Sequence, residues 1–227
     1  MTKLYVVGTP IGNLEDITNR AIRTLAEVDL ILCEDTRVTK KLLSRYDIHT
    51  KVKRMDAHTE NTNIYKVTEL FKEYEKIALV SDAGTPTISD PGNRFVKAVR
   101  EAGILIEVVP GPSAVISALS ISGLPSSSFL FLGFLPHKKG RETLFKEIIN
   151  SRHTVVFYES PHRILKTLKR MTEILEEKRD IVVARELTKI YEESISGTSK
   201  EVFEYFNTNE DKQRGEFVVL VGPANSK

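Results

Sequence analysis

Short apolar runs alternate with amphipathic segments along the first half of the chain, and few folds accommodate this alternation. The apolar runs are residues 4–7, 30–33, 77–80 and 104–109. The amphipathic segments, with apolar side chains at helical spacing, are residues 19–28, 38–46, 61–74 and 93–102. Runs that are apolar on both faces are typical of buried parallel strands. Strands that alternate with helices therefore predict a doubly wound α/β domain with a parallel sheet.

The pattern changes after residue 109, where Pro-Gly-Pro is followed by a small-residue helix at 113–121 and a polar loop at 122–128. This change predicts two domains, residues 1–112 and 113–227. The strands predicted in the second domain are residues 129–134, 154–158, 180–184, 192–197 and 216–221. The helices predicted there are residues 141–149 and 161–176, with a short one near 200–206. Because little helix separates the last strands, the sequence predicts a mixed sheet with antiparallel pairs.

Bulk properties narrow the class of protein without identifying a partner. With 41% apolar and 28% charged residues, the chain has ordinary globular composition. Its formal net charge of +2 neither requires nor excludes a nucleic-acid partner. The single cysteine, Cys33, allows no intramolecular disulfide and no cysteine-rich zinc site. No apolar run reaches the roughly 18 residues of a membrane span. We expect a cytoplasmic protein that does not enter a membrane.

Four loops follow predicted strands, at the sheet edge where ligands bind in open α/β folds. They are residues 8–13 (GTPIGN), 34–37 (EDTR), 81–92 (SDAGTPTISDPG) and 110–114 (PGPSA). The first is neither a Rossmann fingerprint nor a P-loop, and a structural turn explains it equally well. The third is long and rich in glycine, proline and hydroxyl side chains, which favours a functional loop. Its main-chain groups could bind a small molecule.

Carboxylates in these loops have structural alternatives. Asp35 or Thr36 is expected to cap the following helix, which would leave Glu34 and Arg37 for a substrate. Helix capping also explains Asp90, near the end of the long loop. The turn at 110–114 could present N–H groups to a carboxylate at a helix start, or it could be a plain interdomain turn.

The four loops, in this order, resemble those of the tetrapyrrole-methylase-like (class III) methyltransferases. Further matching motifs are residues 133–136 (GFLP), 157–163 (FYESPHR), 185–189 (RELTK) and 215–217 (GEF). The resemblance covers nearly the whole chain and is strongest to the branch that methylates small-subunit ribosomal RNA. Tetrapyrrole enzymes carry Gly-Asp-Pro in the long loop where this chain has Gly84, Thr85 and Pro86. This difference favours an RNA acceptor.

The resemblance implies a two-domain fold with a donor cleft between the domains, S-adenosylmethionine as methyl donor, and no metal. It also implies a homodimer that acts on the 2′-hydroxyl of a cytidine in the decoding region of 16S rRNA, in the free RNA or the small ribosomal subunit. By motif position, the expected donor contacts are Ile11, Ala83, Gly84, Thr85, Ile88, Ser113, Ala114, Glu159 and Leu187. The alternatives are a tetrapyrrole or protein acceptor on the same fold, or a non-catalytic RNA-binding assembly factor.

Methyl transfer to a ribose hydroxyl needs alignment of the reacting atoms and benefits from a base or a charge stabiliser. Glu34 and Asp82 are the candidate bases, and Lys189 is a third candidate catalytic residue. The cations expected to bind RNA are Arg37, Lys138, Lys139, Arg141 and Arg185. Glu186 could steady one of the cations in its own motif. The basic residues Lys166, Lys169 and Arg170 are better explained as the solvated face of a helix. The histidines have no ligand spacing, and His58 could equally contact substrate or cap a loop.

Overall fold

The computed structural model describes residues 2–55, 64–175 and 179–224. The chain forms two compact units, residues 1–113 and 114–227. The strands of the first unit are β1 (Lys3–Val7), β2 (Leu30–Cys33), β3 (Val52–Arg54), β4 (Lys76–Leu79) and β5 (Leu105–Val109). Its α-helices are α1 (Asn19–Glu27), α2 (Thr36–Arg45), α3 (Ile64–Glu73) and α4 (Asn93–Glu101). A 3-10 turn at Leu14–Asp16 precedes α1.

The five strands of the first unit form one parallel sheet in the order β3-β2-β4-β1-β5. Successive residues of a strand face opposite sides of a sheet. Accordingly, Ile31 packs with Leu25 and Leu43 of α1 and α2, whereas Leu30 packs with Phe95 of α4 in a second core. Helices thus cover both faces, and the prediction of a doubly wound parallel sheet is confirmed.

Two details of the first unit differ from the prediction. The short strand β3 was not predicted, since only three residues pair with β2 and none of them is fully buried. Residues 104–109 were predicted to be buried, but β5 lies at the edge of the sheet. Its side chains Leu105 and Val108 are 48% and 59% exposed. An apolar run does not distinguish a central strand from an edge strand.

The second unit contains a five-stranded mixed sheet. Its strands are β6 (Phe129–Phe134), β7 (Thr154–Glu159), β8 (Asp180–Arg185), β9 (Glu193–Thr198) and β10 (Phe217–Val221). Its α-helices are α5 (Ala114–Ser122), α6 (Arg141–Asn150), α7 (Ile164–Ile174) and α8 (Ser199–Thr208). A 3-10 turn at Glu210–Gln213 follows α8. The strand order is β6-β7-β10-β8-β9, with β6 and β7 parallel and the other pairs antiparallel. The predicted mixed sheet is confirmed.

Apolar side chains from α6, α7 and α8 form the core of the second unit against its sheet, with Phe145, Leu168 and Phe206 all nearly fully buried. Helix α8 begins with a capping box, in which Thr198 and Glu201 exchange hydrogen bonds. Within the described ranges, no helix is long and apolar enough to cross a membrane.

Candidate functional site

The turns that follow β1 and β5 are in backbone contact. The Gly8 N–H donates to the Val109 carbonyl at 2.9 Å, and a Cβ atom on Gly8 would lie 2.7 Å from the Gly111 Cα. A Cβ on Gly111 would meet the Gly8 main chain at 2.8 Å. Real Cβ atoms do not approach backbone so closely, so only glycine fits at either position. The two glycines therefore let the loops after two adjacent strands meet.

The long loop after β4 joins the same group of turns. Gly84 and Thr9 exchange main-chain hydrogen bonds of 2.9 and 3.1 Å, and the Thr9 hydroxyl donates to the Ser81 carbonyl at 3.1 Å. Gly84 has a φ of +81°, and a Cβ there would lie 3.4 Å from Ile11 Cγ2 and 3.6 Å from the Pro112 carbonyl. The loops carrying Ile11, Gly84 and Pro112 are thus brought together.

Between Gly84 and Gly92 the long loop takes conformations that are unfavourable for residues with side chains. Thr87 and Ser89 have φ values of +74° and +65°. Left-handed conformations of such residues persist only where the surroundings hold them, and they cluster at functional sites. Among the predicted donor contacts of this loop, Ala83 is exposed, Thr85 is half-buried and Ile88 is 46% exposed.

Asp35 is the N-cap of α2, and it is one of the two residues, Asp35 and Thr36, that were predicted to cap this helix. Its carboxylate accepts the Arg37 N–H at 2.8 Å and pairs with the Arg37 guanidinium at 2.6 Å. These hydrogen bonds to Arg37 lower the pKa of Asp35 to about 2. The Arg37 side chain is 89% exposed despite this ion pair, so its predicted contact with substrate stays a prediction.

The two candidate bases of the first unit lie in neighbouring loops. Asp82 follows β4, and its carboxylate accepts the main-chain N–H of Asp35, in the loop after β2, at 3.0 Å. Glu34 is the first residue after β2 and is half-buried. The parallel order of β2 and β4 therefore carries both carboxylates to the same edge of the sheet.

A third carboxylate, Asp90, belongs with these two and was not predicted. Helix capping does not explain it, because the N-cap of α4 is Gly92. Burial raises the pKa of Asp90 to about 6, against the effect of a hydrogen bond with Ser81, and the charges of Glu34 and Asp82 raise it further. The sequence signal was present in the composition of the loop, but the neighbouring Pro91 made a capping role the simpler explanation.

In the second unit, Glu159 lies at the end of β7 in a buried network of charges. Its carboxylate accepts from Arg163 Nε at 2.8 Å, Thr167 Oγ1 at 2.7 Å and the Ser160 N–H at 2.8 Å, and from Arg141 at 3.5 Å. The Glu159 side chain is fully buried. The Glu159 carboxylate and the Arg141 guanidinium, which also donates to Thr167, are thus engaged within this unit. The predicted donor contact of Glu159 and the predicted RNA contact of Arg141 stay predictions.

The turn after β8 is held by similar pairs. Arg185 is 6% exposed and donates to the carbonyls of Arg214 and Tyr191 at 2.6 and 3.2 Å, which argues against its predicted contact with RNA phosphate. Lys189 contacts the carboxylates of Glu186 and Glu216 at 2.9 Å each. Burial by itself lowers the pKa of Lys189, but the hydrogen bonds to the two carboxylates outweigh that effect and raise the pKa. Glu186 was expected to pair with a cation of its own motif, and it pairs with Lys189. The two ion pairs favour a structural role for Lys189 over a catalytic one.

Other predicted residues have simpler surroundings. Lys138 and Lys139 are exposed in the loop between β6 and α6. Lys166 and Lys169 lie on the exposed face of α7, where Arg170 pairs with Glu142 and Glu173, as expected of a solvated helix face. Leu187 is 8% exposed. His58 lies outside the described residues. Across those residues, no three His, Cys, Asp or Glu side chains are grouped so that they could hold a metal ion.

Comparison with known proteins identifies the family. Residues 3–202 match the family model described as tetrapyrrole (corrin/porphyrin) methylases. The relative from Thermotoga maritima named ribosomal RNA small subunit methyltransferase I is 46% identical over 221 residues, 97% of this chain and 98% of that protein. This chain is a member of that methyltransferase family. Relatives of the same name from Vibrio cholerae and Bacillus subtilis are 48% and 47% identical, covering 96% and 99% of this chain and 76% of each relative.

Several solved structures share the fold of this chain at low sequence identity. A uroporphyrin-III-C-methyltransferase from Thermus thermophilus has a TM-score of 0.65 at 19% identity, covering 98% of this chain and 94% of its own. A diphthine synthase has a TM-score of 0.71 at 12% identity, covering 98% of this chain and 90% of its own. These similarities confirm the tetrapyrrole-methylase-like fold predicted from the motifs.

Proposed function

We propose that this protein transfers a methyl group from S-adenosylmethionine to the 2′-hydroxyl of a cytidine in the decoding region of 16S rRNA. The observation that carries the proposal is the 46–48% identity, over nearly the whole chain, to enzymes named for small-subunit ribosomal RNA. The two structures of uroporphyrin-III-C-methyltransferase from Thermus thermophilus are only 18–19% identical. Thr85, in place of the aspartate of the tetrapyrrole enzymes, also supports an RNA acceptor.

In this proposal the joined turns after β1, β4 and β5 hold the donor. The close approach of Gly8 to Gly111, and the main-chain hydrogen bonds between Gly84 and Thr9, hold these turns together. The proposal is that other main-chain groups of the same turns bind the amino-acid and adenine parts of S-adenosylmethionine. The proposed contacts are Ile11, Ala83, Gly84, Thr85, Ile88, Ser113, Ala114 and Leu187. For Glu159, only main-chain atoms remain as donor contacts, because its carboxylate is engaged.

The bound donor would supply a methyl group on a positively charged sulfur, which is electrophilic without a metal ion. The chain then has to hold the acceptor hydroxyl in line with that methyl group and take up its proton. The carboxylates at the edge of the sheet, Glu34 and Asp82 among them, are the groups proposed for this proton transfer. They also supply negative charge near the cationic sulfur.

The proposed RNA contacts are the exposed lysines Lys138 and Lys139.

The oligomeric state and the location of the protein are proposed mainly from the family. A homodimer is supported by apolar side chains left exposed on α5 and β6, where Ile116 and Phe134 are 55% and 56% exposed. A cytoplasmic location follows from the proposed ribosomal substrate.

The direct test is to incubate the purified protein with S-adenosylmethionine and either small ribosomal subunits or free 16S rRNA from cells that lack the enzyme. Mass spectrometry of RNA fragments should find one new ribose methyl group, on one cytidine of the decoding region. Complementing the deficient cells should restore the same modification. The proposal fails if neither RNA substrate gains a methyl group, or if the methyl group is found on a base or on protein.

Calorimetry with S-adenosylmethionine separates this proposal from an assembly factor that binds RNA without catalysis. The enzyme must bind the donor in the absence of RNA, whereas the assembly factor has no reason to do so.

A further inference from the structure

Two exposed lysines lie in the loop between β6 and α6, residues 135–140. Within the described part of the chain, neither Lys138 nor Lys139 forms an ion pair with a carboxylate. Both charges are therefore available to an anionic ligand, such as the phosphates of an RNA strand. How well two lysines bind neighbouring phosphates depends on where the main chain of the loop holds them.

Strand pairing alone does not fix the position of this loop. β6 is an edge strand, and its register against β7 shifts between Phe131 and Phe134, as at a β-bulge. Gly133, within this irregular stretch, has a φ of +62°. A bulge bends its strand and changes the direction of the residues that follow. Contacts outside the strand ladder are therefore needed to hold the loop in one place.

Two arginine side chains make such contacts at the start of the loop. Arg163 Nη1 donates to the Leu135 carbonyl at 2.6 Å, and Arg141 Nη1 donates to the Pro136 carbonyl at 3.2 Å. At the end of the loop, the Arg141 N–H donates to the Lys138 carbonyl at 3.3 Å. The main chain is thus held on both sides of the tip that carries the lysines.

Glu159 in turn fixes the two arginines. It is the last residue of β7, and because β6 and β7 are parallel it lies at the same edge of the sheet as the loop. Its buried carboxylate accepts from Arg163 Nε at 2.8 Å and lies 3.5 Å from Arg141 Nη2. The Arg163 guanidinium therefore joins a buried anion to a main-chain carbonyl of the loop. Its planar fork of donors suits it to make both contacts at once.

We propose that Arg163 is a positioning residue, which together with Arg141 holds the loop so that Lys138 and Lys139 meet RNA phosphates. This inference rests on the proposed function and deepens it, because it connects the buried Glu159 network to RNA affinity. A loop that is held in its binding conformation has less ordering entropy to lose when the ligand binds. The network thus acts on RNA binding and not on the methyl-transfer step.

The test is a double-mutant cycle that combines Arg163→Met with the paired change of Lys138→Gln and Lys139→Gln. Filter binding of 16S rRNA from cells that lack the enzyme measures the affinity of all four proteins at one salt concentration. With both lysines present, Arg163→Met should weaken RNA binding by about 3- to 30-fold. Without them it should change the affinity by less than about twofold, since the loop then has no cation to position.

Turnover assays separate positioning from a general loss of folded protein. Arg163→Met should raise the KM for RNA, while kcat at saturating RNA and the donor affinity found by calorimetry stay at their wild-type values. If Arg163→Met does not fold, Arg163→Lys takes its place in the cycle. That variant keeps a cation beside Glu159 but loses the planar fork.

Arg170→Met is the matched control, because it removes one positive charge from α7 at a residue that pairs with Glu142 and Glu173 on the surface. It should leave the affinity for RNA unchanged. A loss equal to that of Arg163→Met would mean that the overall charge of the helix, and not the anchoring of the loop, determines RNA binding.

The inference is overturned if Arg163→Met weakens RNA binding by the same factor with and without the two lysines. That result would indicate a direct RNA contact of Arg163 or a general disturbance of the fold. It is equally overturned if the affinity does not change while the lysines are present. Failure of the proposed function would look different, since the wild-type protein itself would then transfer no methyl group to ribosomal RNA.

Discussion

The charged motifs of the two units have contrasting surroundings. In the second unit, Glu159 is fully buried but is matched by two arginines, a hydroxyl and an N–H group. In the first unit, Asp90 is only half-buried, yet the charged groups that shift its pKa are also negative. Both residues belong to motifs that suggested function in the sequence. Only the surroundings of Asp90 disfavour the charged form of the residue.

A motif of charged residues can therefore stabilise the fold as well as take part in the reaction. A buried carboxylate whose hydrogen-bonding capacity is filled has little left for a ligand, however strongly its motif suggests a site. A carboxylate that is partly buried beside other carboxylates, as Asp90 is, costs the fold stability when it is ionised.

The largest expected effect is the loss of the Glu159 network. Glu159→Ala would leave Arg141 and Arg163, with side chains 13% and 15% exposed, without their shared carboxylate. Breaking a buried pair by removing one partner costs about 3–5 kcal/mol. Urea unfolding followed by circular dichroism should detect this loss in the free energy of unfolding.

Glu142→Ala is the matched control for that measurement, because Glu142 is 65% exposed and pairs with Arg170 on the surface. It should cost no more than about 1 kcal/mol. If the two variants were equally stable, the distinction between the two motifs would be lost.

An intermediate effect is expected within the basic stretch of the second unit, where Arg141 is engaged but Lys138 and Lys139 are exposed. Lys138→Gln with Lys139→Gln should weaken RNA binding and reduce the slope of log K against log salt by about 1 for each lysine that contacts a phosphate. Filter binding at several salt concentrations measures both quantities. Lys166→Gln with Lys169→Gln is the charge-matched control, and an equal change there would remove the reason to place RNA at the loop.

The smallest expected effect is that of Glu34→Gln. This change removes one of the two charges that raise the pKa of Asp90, so that pKa should fall toward its ordinary range. Ionised Asp90 then costs the folded state less, so the free energy of unfolding at pH 8, measured by urea unfolding, should increase slightly. A decrease at pH 8 would contradict the arrangement of the three carboxylates.

Periodicity and motif order were sufficient to predict both sheets apart from β3, their helices and the family. They were insufficient where the outcome depends on partners distant in sequence. The exposure of Val108 follows from β5 lying at the edge of the sheet, and the pairing of Arg185 with the Arg214 carbonyl joins residues 29 positions apart. Neither feature has a local signal. The Glu159–Arg163 pair, four residues apart across the start of α7, was closer to being predictable from spacing.

Asp90 shows a second limit of prediction from sequence. Its loop was recognised from composition, but the significance of the residue depends on burial and on a carboxylate that follows a different strand. Residues adjacent in sequence suggested a cap, whereas the residues that determine its chemistry are adjacent only in the folded sheet.

The position of β10 has a consequence for how the chain folds during synthesis. This strand lies between β7 and β8, with antiparallel pairing to both, although it follows them by more than thirty residues. Until residues 217–221 have left the ribosome, β7 and β8 each have an unpaired inner edge, and the apolar side chains of β10 are missing from the core. The parallel sheet of the first unit needs no residue beyond β5. We therefore expect the nascent chain to fold in two stages, with the second unit the more prone to aggregation while it waits for its central strand.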